Sequence, residues 1–558
     1  MKLKLVSIIL LTSAILSGCN YELIPDKDDE DILFQDNQSL YIDDNILEIK
    51  EVYITVLPPD PRDLDTNFTL SDVNLDLTFN DEYDPSVKVL VQEGRDGEIK
   101  PGDYGFGLID YNGILSIRGH STRTYPQKSY KISLLKGTNP FYGNETLNLN
   151  KHPFDVTRFR NRLGFKMLEN IDNTLSVRTM FVRLFVRDYS ASSDASFEDY
   201  GLYTNVEQLN ANYLKVRGLD SKGELYKAEN FEFKRHKDIL LNTDDINYDK
   251  DAFEDILEIK GRENHEDLIE MLEGINSTFY DIDDLIEEYF DRDNYVTWLA
   301  SNILLDNIDT TTQNFYLYSP RESEKFYFIF WDLDGGIGHY KDPEVDLRRP
   351  SWRIGVSNYW NVSLHKRFFK KEKNIEEVRA KMYELSDVIN GENLQSFADT
   401  FRELTYPFIT NPPDSLSYVK SLDDYESDVN YFKDIPDTSM RLFEESIKHP
   451  MPFFLREPSS FNGRLVFHWE SSYDLENRPI NYDFTISSTP DMQNIVYEKT
   501  DLFEPGVIVE NLPSGDYYWT VVSRNSDGYI QNPFDFYKSR EGKTYLGIQR
   551  LVWNNDIQ

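Results

Sequence analysis

The chain reads Asn307-Ile308-Asp309-Thr310-Thr311-Thr312-Gln313-Asn314-Phe315-Tyr316-Leu317-Tyr318 over residues 307–318, and Trp331-Asp332-Leu333-Asp334-Gly335-Gly336-Ile337-Gly338 over residues 331–338. In both segments, several polar side chains lie within an otherwise apolar stretch of sequence. Asp309 and Asn314 are five residues apart, and Asp332 and Asp334 follow a hairpin-like stretch over residues 314–330. Carboxylate and amide oxygens are ligands that suit Mg²⁺. The two segments together predict a site in which acidic side chains handle protons and metal ions.

The spacing between Asp309 and Asn314 is typical of a protein-kinase catalytic loop, and Asp332 stands where the metal-binding aspartate of such a site would come. Phosphoryl transfer needs a group that positions the acceptor hydroxyl, and oxygen ligands for magnesium ions that bridge the phosphates. Asp309 can fill the first role, and Asn314, Asp332 and Asp334 can fill the second. The spacing alone leaves an alternative open, because Asp and Asn are common turn residues and this sequence could simply end a strand.

A third polar segment, upstream, extends the pattern. The order of all the motifs resembles that of the CotH kinase family, over roughly residues 110–400. The segments that carry the resemblance are Arg118-Gly119-His120-Ser121-Thr122, Lys128-Ser129-Tyr130-Lys131-Ile132-Ser133-Leu134, Arg160-Asn161, Tyr200-Gly201-Leu202-Tyr203 with Glu207, and the two segments quoted above. Two positions depart from the family pattern: His120 replaces the usual Asn, and no spacer separates Tyr200 from Gly201.

The resemblance implies an atypical kinase that binds ATP and Mg²⁺ between a β-rich lobe and a helical lobe. It implies Asp309 as the catalytic aspartate and Asp332 as a metal ligand, with Asp334 and Asn314 supporting the metal site. The cofactor-binding residues that it implies are Lys131, with Lys128 and Lys227 as alternatives, Glu207 as the partner of that lysine, and Arg118 as an alternative phosphate clamp. For each basic residue, the competing interpretation is a surface salt bridge.

Hydrophobic periodicity predicts an α+β fold with strands first and helices second. Short alternating β-forming runs predict strands at residues 51–56, 73–79, 87–92, 115–118, 129–134, 181–186 and 201–206. A period near 3.6 then predicts helices at residues 266–275, 282–290, 293–305 and 375–389, with a short strand at residues 326–330 between the last two. The fold class expected is therefore a two-lobed, kinase-like domain with a β-rich first lobe and a helical second lobe.

The chain returns to short strands after Pro458, and about one hundred residues of this kind predict a β-sandwich. The segment Leu512 to Trp519 resembles the late-strand signature of fibronectin type III modules. The domain organisation expected is a signal peptide over residues 1–18, an acidic tether over 19–45, a β-rich region over 46–109, the kinase-like domain over 110–455 and the sandwich over 458–558.

The N-terminus resembles a bacterial lipoprotein signal. Lys2 and Lys4 precede an apolar stretch from Val6 to Leu16, and Leu16-Ser17-Gly18-Cys19 has the form of a lipobox. Cys19 is the single cysteine of the chain, so it is the expected lipidation site and no intrachain disulfide can form. The alternative is an ordinary secretory peptide. We expect the protein to lie outside the cytoplasm, anchored to the outer membrane and exposed at the cell surface.

The composition argues against a nucleic-acid partner. Removing residues 1–18 takes away two lysines, so the mature chain has 57 basic side chains (59 − 2) against 98 acidic ones, a net charge of −41. Nucleic-acid binding needs a basic patch or stripe, and none is visible. The histidines, His152 and His339 included, show no metal-ligand spacing.

We therefore expect a lipid-anchored kinase that transfers phosphate from Mg²⁺-ATP to Ser or Thr hydroxyls of a surface or secreted protein. Free ATP is scarce outside the cytoplasm, so two alternatives stay open. The first is a surface-anchored binding or adhesion protein that keeps the kinase-like fold as a scaffold. The second is an enzyme that uses another phosphodonor or another acceptor, such as a glycan. The C-terminal sandwich is expected to contact a glycan or a protein.

Overall fold

The computed structural model describes residues 34–41, 48–77, 83–119, 121–341, 346, 349–418, 420–461 and 464–554. The expected signal peptide, Cys19, most of the tether and His120 lie outside these residues. The chain divides into two units, Met1–Phe34 and Gln35–Gln558. Within the described part of the chain, no helix is both long and apolar enough to cross a membrane.

The alternating apolar residues of the first half form a closed barrel. Its strands are β1 (Ile49–Val56), β2 (Ser86–Gly94), β3 (Gly113–Arg118), β4 (Ser129–Leu134), β5 (Thr146–Asn150), β6 (Thr179–Asp188) and β7 (Glu198–Val206). They run in the order β1-β2-β3-β4-β5-β7-β6, and parallel pairing of β6 with β1 closes the ring. Closure removes the free sheet edges that would otherwise invite pairing with another chain.

The barrel core explains which residues face outward. Leu115 and Ile132 belong to the buried apolar cluster inside the barrel. Because side chains alternate along a strand, Arg118 on β3, Lys131 on β4 and Asn150 on β5 project from the opposite, outer face. This outer face of β3, β4 and β5 becomes one wall of the cleft described below.

One expected strand is wrong. Residues 73–79 alternate apolar and polar side chains, yet the structure has helix α1 at Leu70–Leu75. Thr69 caps this helix and forms a reciprocal capping box with Asp72, which satisfies backbone N–H groups at its start. Leu75 is 70% exposed. The apolar alternation therefore does not mark a buried sheet face.

A second sheet and a set of helices follow the barrel. The sheet has the order β11-β10-β8-β9, formed by β8 (Glu224–Ala228), β9 (Leu257–Ile259), β10 (Phe315–Ser319) and β11 (Tyr327–Phe330). The helices are α2 (Arg160–Leu168), α3 (Ala211–Val216), α4 (Lys250–Glu254), α5 (Glu266–Ile275), α6 (Ile282–Tyr289), α7 (Arg292–Leu304), α8 (Ser363–Phe369), α9 (Glu372–Leu385), α10 (Gly391–Ile409), α11 (Leu422–Tyr431) and α12 (Ile435–Lys448). The expected α+β fold, with strands first and helices second, is confirmed.

The aromatic side chains of α7 hold the second sheet. Trp298 on α7 is fully buried and lies 4.6 Å, ring to ring, from Phe328 on β11. Asn294 on the same helix accepts a hydrogen bond from the Phe328 backbone N–H, 2.7 Å, through its side-chain oxygen. These contacts fix the end of β11, from which the Trp331–Gly338 loop begins.

The C-terminal strands form two packed sheets. One has the order β12 (Ser459–Phe461), β13 (Arg464–His468), β16 (Gly506–Val509). The other is β15 (Ile495–Leu502), β14 (Ile480–Ser487), β17 (Gly515–Asn525), β18 (Ile530–Gln531), with β21 (Gln549–Trp553) also on β17 and a separate pair β19 (Phe536–Lys538) and β20 (Thr544–Leu546). Phe467, Phe484 and Trp519 fill the core between them.

Two domain boundaries differ from those expected. Phe453 and Leu455 belong to the sandwich core, so this module begins before residue 458. At the other end, Asp36 is buried and forms a 2.9 Å ion pair with Arg217. An ion pair withdrawn from water this completely is part of a packed structure. The folded unit therefore includes residues that were expected to belong to the tether.

Candidate active site

A large polar cleft, about 1150 Å³ in volume, lies along the outer face of β3, β4 and β5, the second sheet and the loop after β11. It contains most of the residues that the sequence singled out. Those lining the cleft are Arg118, Lys131, Lys227, Asp309, Asn314, Asp332 and Asp334. Residues that are up to about 200 positions apart in the chain thus meet in one place.

The loop before β10 presents Asp309 to the cleft. Asn314 has a left-handed backbone, with φ at 61°, and its side-chain nitrogen donates to both the backbone oxygen and the carboxylate of Asp309, each at 3.1 Å. Gln313 donates to the other carboxylate oxygen at 3.2 Å. Burial raises the pKa of Asp309, and the nearby charge of Asp334 adds to the rise. The loop therefore holds a carboxylate in fixed orientation with enhanced basicity.

Gly335 allows this arrangement. A β-carbon at Gly335 would lie 2.8 Å from the Asp309 β-carbon, closer than side-chain atoms can approach. The loop after β11 and the loop before β10 therefore touch at a position where glycine is required. This contact brings Asp309 and the Asp332–Asp334 pair into one site.

Helix α2 holds both ends of the Asp332 loop. Asn161 accepts a 3.0 Å hydrogen bond from the Leu333 backbone N–H, and Arg160 donates to the Ile337 carbonyl at 3.0 Å. Arg160 is itself fixed by a 2.5 Å ion pair with Asp155. Asp332 has φ at 52°, a conformation that costs free energy in a non-glycine residue and is common at functional sites.

The electrostatics of Asp332 favour a bound cation. Burial raises the pKa of Asp332 to about 7, and the charge of Asp334 acts in the same direction. Among the described residues, its carboxylate accepts one long hydrogen bond, 3.5 Å from Asn161. The charges of His152, Arg118 and Lys227 offset the rise in pKa only in part. A half-buried carboxylate with one long hydrogen bond is costly to ionise. His152 lies 3.4 Å from Asp334, on the same side of the cleft.

The cationic wall comes from the barrel. Arg118 donates to the side-chain oxygens of Asn150, 2.7 Å, and Asn148, 2.9 Å, so neutral amides orient its guanidinium. Its guanidinium also lies over the ring of Trp331, 5.9 Å from the centroid. Lys131 lies on the neighbouring strand, in diagonal register with Arg118 on the same face. Desolvation lowers the pKa of Lys131, and the charges of Lys260 and Arg118 lower it further.

A second group of cations comes from the β8–β9 pair. Lys227 contacts Glu229 and lies 3.7 Å from Glu258, which also contacts Lys260. Lys227 and Glu258 are opposite each other in the antiparallel register. Lys227, Lys260 and Glu258 all line the cleft. Lysine–glutamate pairs are thus present in the cleft, but the glutamates are Glu229 and Glu258 and not Glu207.

Two predicted site residues do not line the cleft. Glu207 was expected to pair with the nucleotide-binding lysine, but it is buried against Arg217, 2.9 Å, and Arg178. Lys128 donates to the Arg123 carbonyl oxygen at 2.5 Å, so its amine is engaged locally. In both cases the side chain is bound by a neighbouring polar group of the protein and does not reach the cleft.

Sequence reasoning missed several residues of the site. His152, Glu258 and Lys260 line the cleft, and Asn161 holds the Asp332 loop. Asn161 stands in the Arg160-Asn161 motif, which was noted without a role. His152 carried no spacing signal, and Glu258 lies in a segment rich in charged residues, where nothing distinguishes it from its neighbours.

The donor set fits Mg²⁺. Asp332, Asp334 and Asn314 offer oxygens only, and the side-chain nitrogen of Asn314 is used by Asp309, which leaves the oxygen for a metal. Within the described part of the chain, no group of three or more His, Cys, Asp or Glu side chains is arranged to hold a metal ion. In phosphoryl-transfer proteins, one or two carboxylates usually hold Mg²⁺ together with the substrate phosphates.

Comparison with known proteins gives a family. The family model described as CotH kinase protein matches residues 115–439. Among solved structures, the chain is similar to the Helicobacter pylori proinflammatory kinase CtkA, at 11% identity and a TM-score of 0.27, over 57% of this chain and 95% of that one. No curated protein matches. Since the family model covers more than half of the 558 residues and includes Arg118, Asp309 and Asp332, the chain belongs to the CotH kinase protein family.

Proposed function

We propose that this protein transfers the terminal phosphoryl group of Mg²⁺-ATP to Ser or Thr hydroxyls of proteins outside the cytoplasm. One observation carries the proposal: Asp309, Asn314, Asp332 and Asp334 line the same cleft as Arg118, Lys131 and Lys227. Acidic groups suited to a metal and a hydroxyl thus face cations suited to phosphates. Phosphoryl transfer requires both kinds of group in one site.

Asp309 is the residue that handles the acceptor hydroxyl. In the transfer step, the hydroxyl oxygen forms a bond to the terminal phosphorus, while the bond from that phosphorus to the bridging oxygen breaks. The electron pair of the broken bond leaves with the diphosphate, and the hydroxyl proton passes to the Asp309 carboxylate. Gln313 and Asn314 keep this carboxylate oriented through their hydrogen bonds, and most of the rate comes from such positioning.

Asp332, Asp334 and the side-chain oxygen of Asn314 would hold the metal. When bound, Mg²⁺ supplies positive charge that neutralises the phosphate oxygens as charge builds on the leaving group. Arg118 and Lys131 would bind the phosphates from the opposite wall, and Arg118 is oriented for this by Asn148 and Asn150. His152 would keep Asp334 in place.

The location of the reaction rests on the N-terminal sequence. The lipobox Leu16-Ser17-Gly18-Cys19 supports a lipid on Cys19 and a protein anchored outside the cytoplasm, at the outer membrane and exposed on the surface. The acceptor would then be a surface or secreted protein. The C-terminal sandwich is the module available for recognising it, through protein or glycan contacts.

Labelled γ-phosphate incorporation tests the proposal. The purified chain would be given Mg²⁺-ATP and either casein or co-expressed surface proteins, alongside Asp309→Asn, Asp332→Asn and the control Asp284→Asn on the exposed surface of α6. We expect incorporation that requires Mg²⁺, falls at least about a hundredfold in both site variants and is unchanged in the control. If the parent neither binds Mg²⁺-ATP nor transfers phosphate, the proposal is wrong, and an anchored binding protein with a kinase-like scaffold is supported instead.

A further inference from the structure

The side chains that line the cleft are unusual for a nucleotide site. Among the described residues that form it, none is Ala, Val, Leu, Ile or Met. Sites for organic ligands are normally lined mainly by hydrophobic and aromatic side chains, with a few polar groups that fix orientation. This cleft has the reverse composition, so its apolar surface comes from aromatic rings and from the carbon atoms of polar side chains. It has no aliphatic pocket among the described residues in which a base could be buried.

Four large aromatic residues of the described part of the chain line the cleft, and each already packs against a neighbour. Tyr340 is half-buried and lies edge-on to His339, 4.7 Å away. Tyr316 and Trp331 pack edge to face, 5.5 Å apart, and both are buried. Arg118 already covers the ring of Trp331. Phe154 is 43% exposed and packs edge-on against Tyr125, 4.7 Å away. A base stacked on Phe154 would be accepted whatever its identity, because every base has a π-face.

The neutral amides of the cleft are also unsuited to reading a base. Each of them has a hydrogen-bond partner within the protein, as donor or acceptor: Asn150 with Arg118, Gln208 with Leu209, Asn230 with Asp255, and Gln313 and Asn314 with Asp309. Discrimination between bases comes from polar groups that would be left unpaired by the wrong ligand. Each of these amides is already engaged in at least one hydrogen bond, so an incorrect base, or no base, leaves none of them wholly without a partner.

The charged groups, by contrast, converge on the phosphate chain. Arg118, Lys131, Lys227 and Lys260 line the cleft, and the amide partners of Arg118 leave its charge uncancelled. The proposed metal ligands lie on the facing loop. Both features act on phosphate oxygens, which all phosphoanhydride donors share.

We infer that the cleft selects its phosphodonor by the phosphate chain and the metal, so that nucleoside triphosphates of any base and inorganic tripolyphosphate are bound and used alike. The inference rests on the proposed function, because it concerns the donor of that reaction. With tripolyphosphate, the acceptor oxygen bonds to a terminal phosphorus and the adjacent bridging P–O bond breaks. Pyrophosphate leaves with the electron pair, and the hydroxyl proton passes to Asp309.

The test is calorimetric titration of ATP, GTP and tripolyphosphate in excess Mg²⁺, with terminal-phosphate transfer as the second readout. It uses the parent, Lys131→Gln and the control Lys136→Gln, whose side chain is exposed in the turn after β4. We expect the three dissociation constants to agree within about tenfold, since stacking on one partly exposed ring, at the low end of its usual range, changes affinity about fivefold. Lys131→Gln should weaken all three by a common factor of about ten, and Lys136→Gln should change none.

Three results would contradict the inference, and they have different consequences. If ATP binds more than tenfold tighter than GTP or tripolyphosphate, the base is recognised and the inference fails while the proposed function stands. If none of the three donors binds the parent in Mg²⁺, the proposed function fails as well. Unequal losses among the three donors in Lys131→Gln would also contradict it, because a shared phosphate contact must affect them equally.

Discussion

Replacing Asp332 with Asn should stabilise the metal-free protein while destroying its activity. Burial raises the pKa of Asp332 from 3.8 to about 7, a rise worth about 4 kcal/mol at 1.36 kcal/mol per unit. Because the side chain keeps some contact with water, we take about half of this, ~2 kcal/mol, as the expected gain from a neutral isostere at pH 8. A stability gain from removing a charged group is the usual sign of a site built for a ligand.

The gain should depend on pH with a definite sign. The folded state binds the Asp332 proton more tightly than the unfolded state, so the free energy of unfolding falls as pH rises between 3.8 and about 7. Asn does not titrate. The advantage of Asp332→Asn should therefore be about 2 kcal/mol at pH 8 and about 1 kcal/mol at pH 5.5, and it should vanish toward pH 4.

Urea unfolding with a chelator present measures this directly, at pH 5.5 and pH 8, with Asp284→Asn as a control that should show no change. If Asp332→Asn is no more stable than the parent at pH 8, or if its advantage grows as the pH falls, then Asp332 is not a strained, uncompensated carboxylate. Its electrostatics would then give no reason to expect a cation beside it.

Three further changes separate the site from the scaffold. Glu207→Gln breaks a buried charge cluster with Arg217 and should lower the free energy of unfolding by about 3 kcal/mol, while the donor affinity of the folded protein should not change. If the folded variant binds the donor more weakly, Glu207 belongs to the binding site after all. Gly335→Ala places a β-carbon 2.8 Å from that of Asp309, so it should slow phosphoryl transfer by about a hundredfold while donor affinity is retained. In the control Gly515→Ala, the nearest contact is an ordinary 3.4 Å, and the transfer rate should not change. Equal transfer rates in the two variants would show that the close approach of Gly335 to Asp309 does not matter for transfer. Cys19→Ser should release the protein from the membrane fraction, because the anchor depends on lipid chains, and a variant that stays membrane-bound would argue against lipidation there.

Local sequence patterns identified many of the residues of the site. Asp309 and Asn314 are linked by a short loop, so their spacing alone placed them together, and the hydrogen bonds between them confirm it. Arg118 and Lys131 were named from the resemblance to the family, and the pairing of β3 with β4 brings them to one face. Asp332 was named because it follows a hairpin-like stretch, at the position where the metal-binding aspartate of a kinase site would come.

What could not be predicted depends on partners distant in sequence. Glu207 lies at the end of a barrel strand, and nothing local shows that Arg217 would take it rather than a cleft lysine. Glu258 enters the cleft because β9 pairs with β8, a register that its own sequence does not specify. At α1, the capping box of Thr69 and Asp72 outweighed an apolar alternation that is typical of a strand.

The most direct test of the central claim is a crystal structure of the protein soaked with Mn²⁺ and a non-hydrolysable ATP analogue, located by the anomalous signal of the metal. We predict Mn²⁺ in contact with Asp332 and the side-chain oxygen of Asn314, with the terminal phosphate between Asp309 and the Arg118 and Lys131 side chains. A metal and nucleotide bound elsewhere, or an empty cleft under conditions where titration shows saturation, would contradict the account.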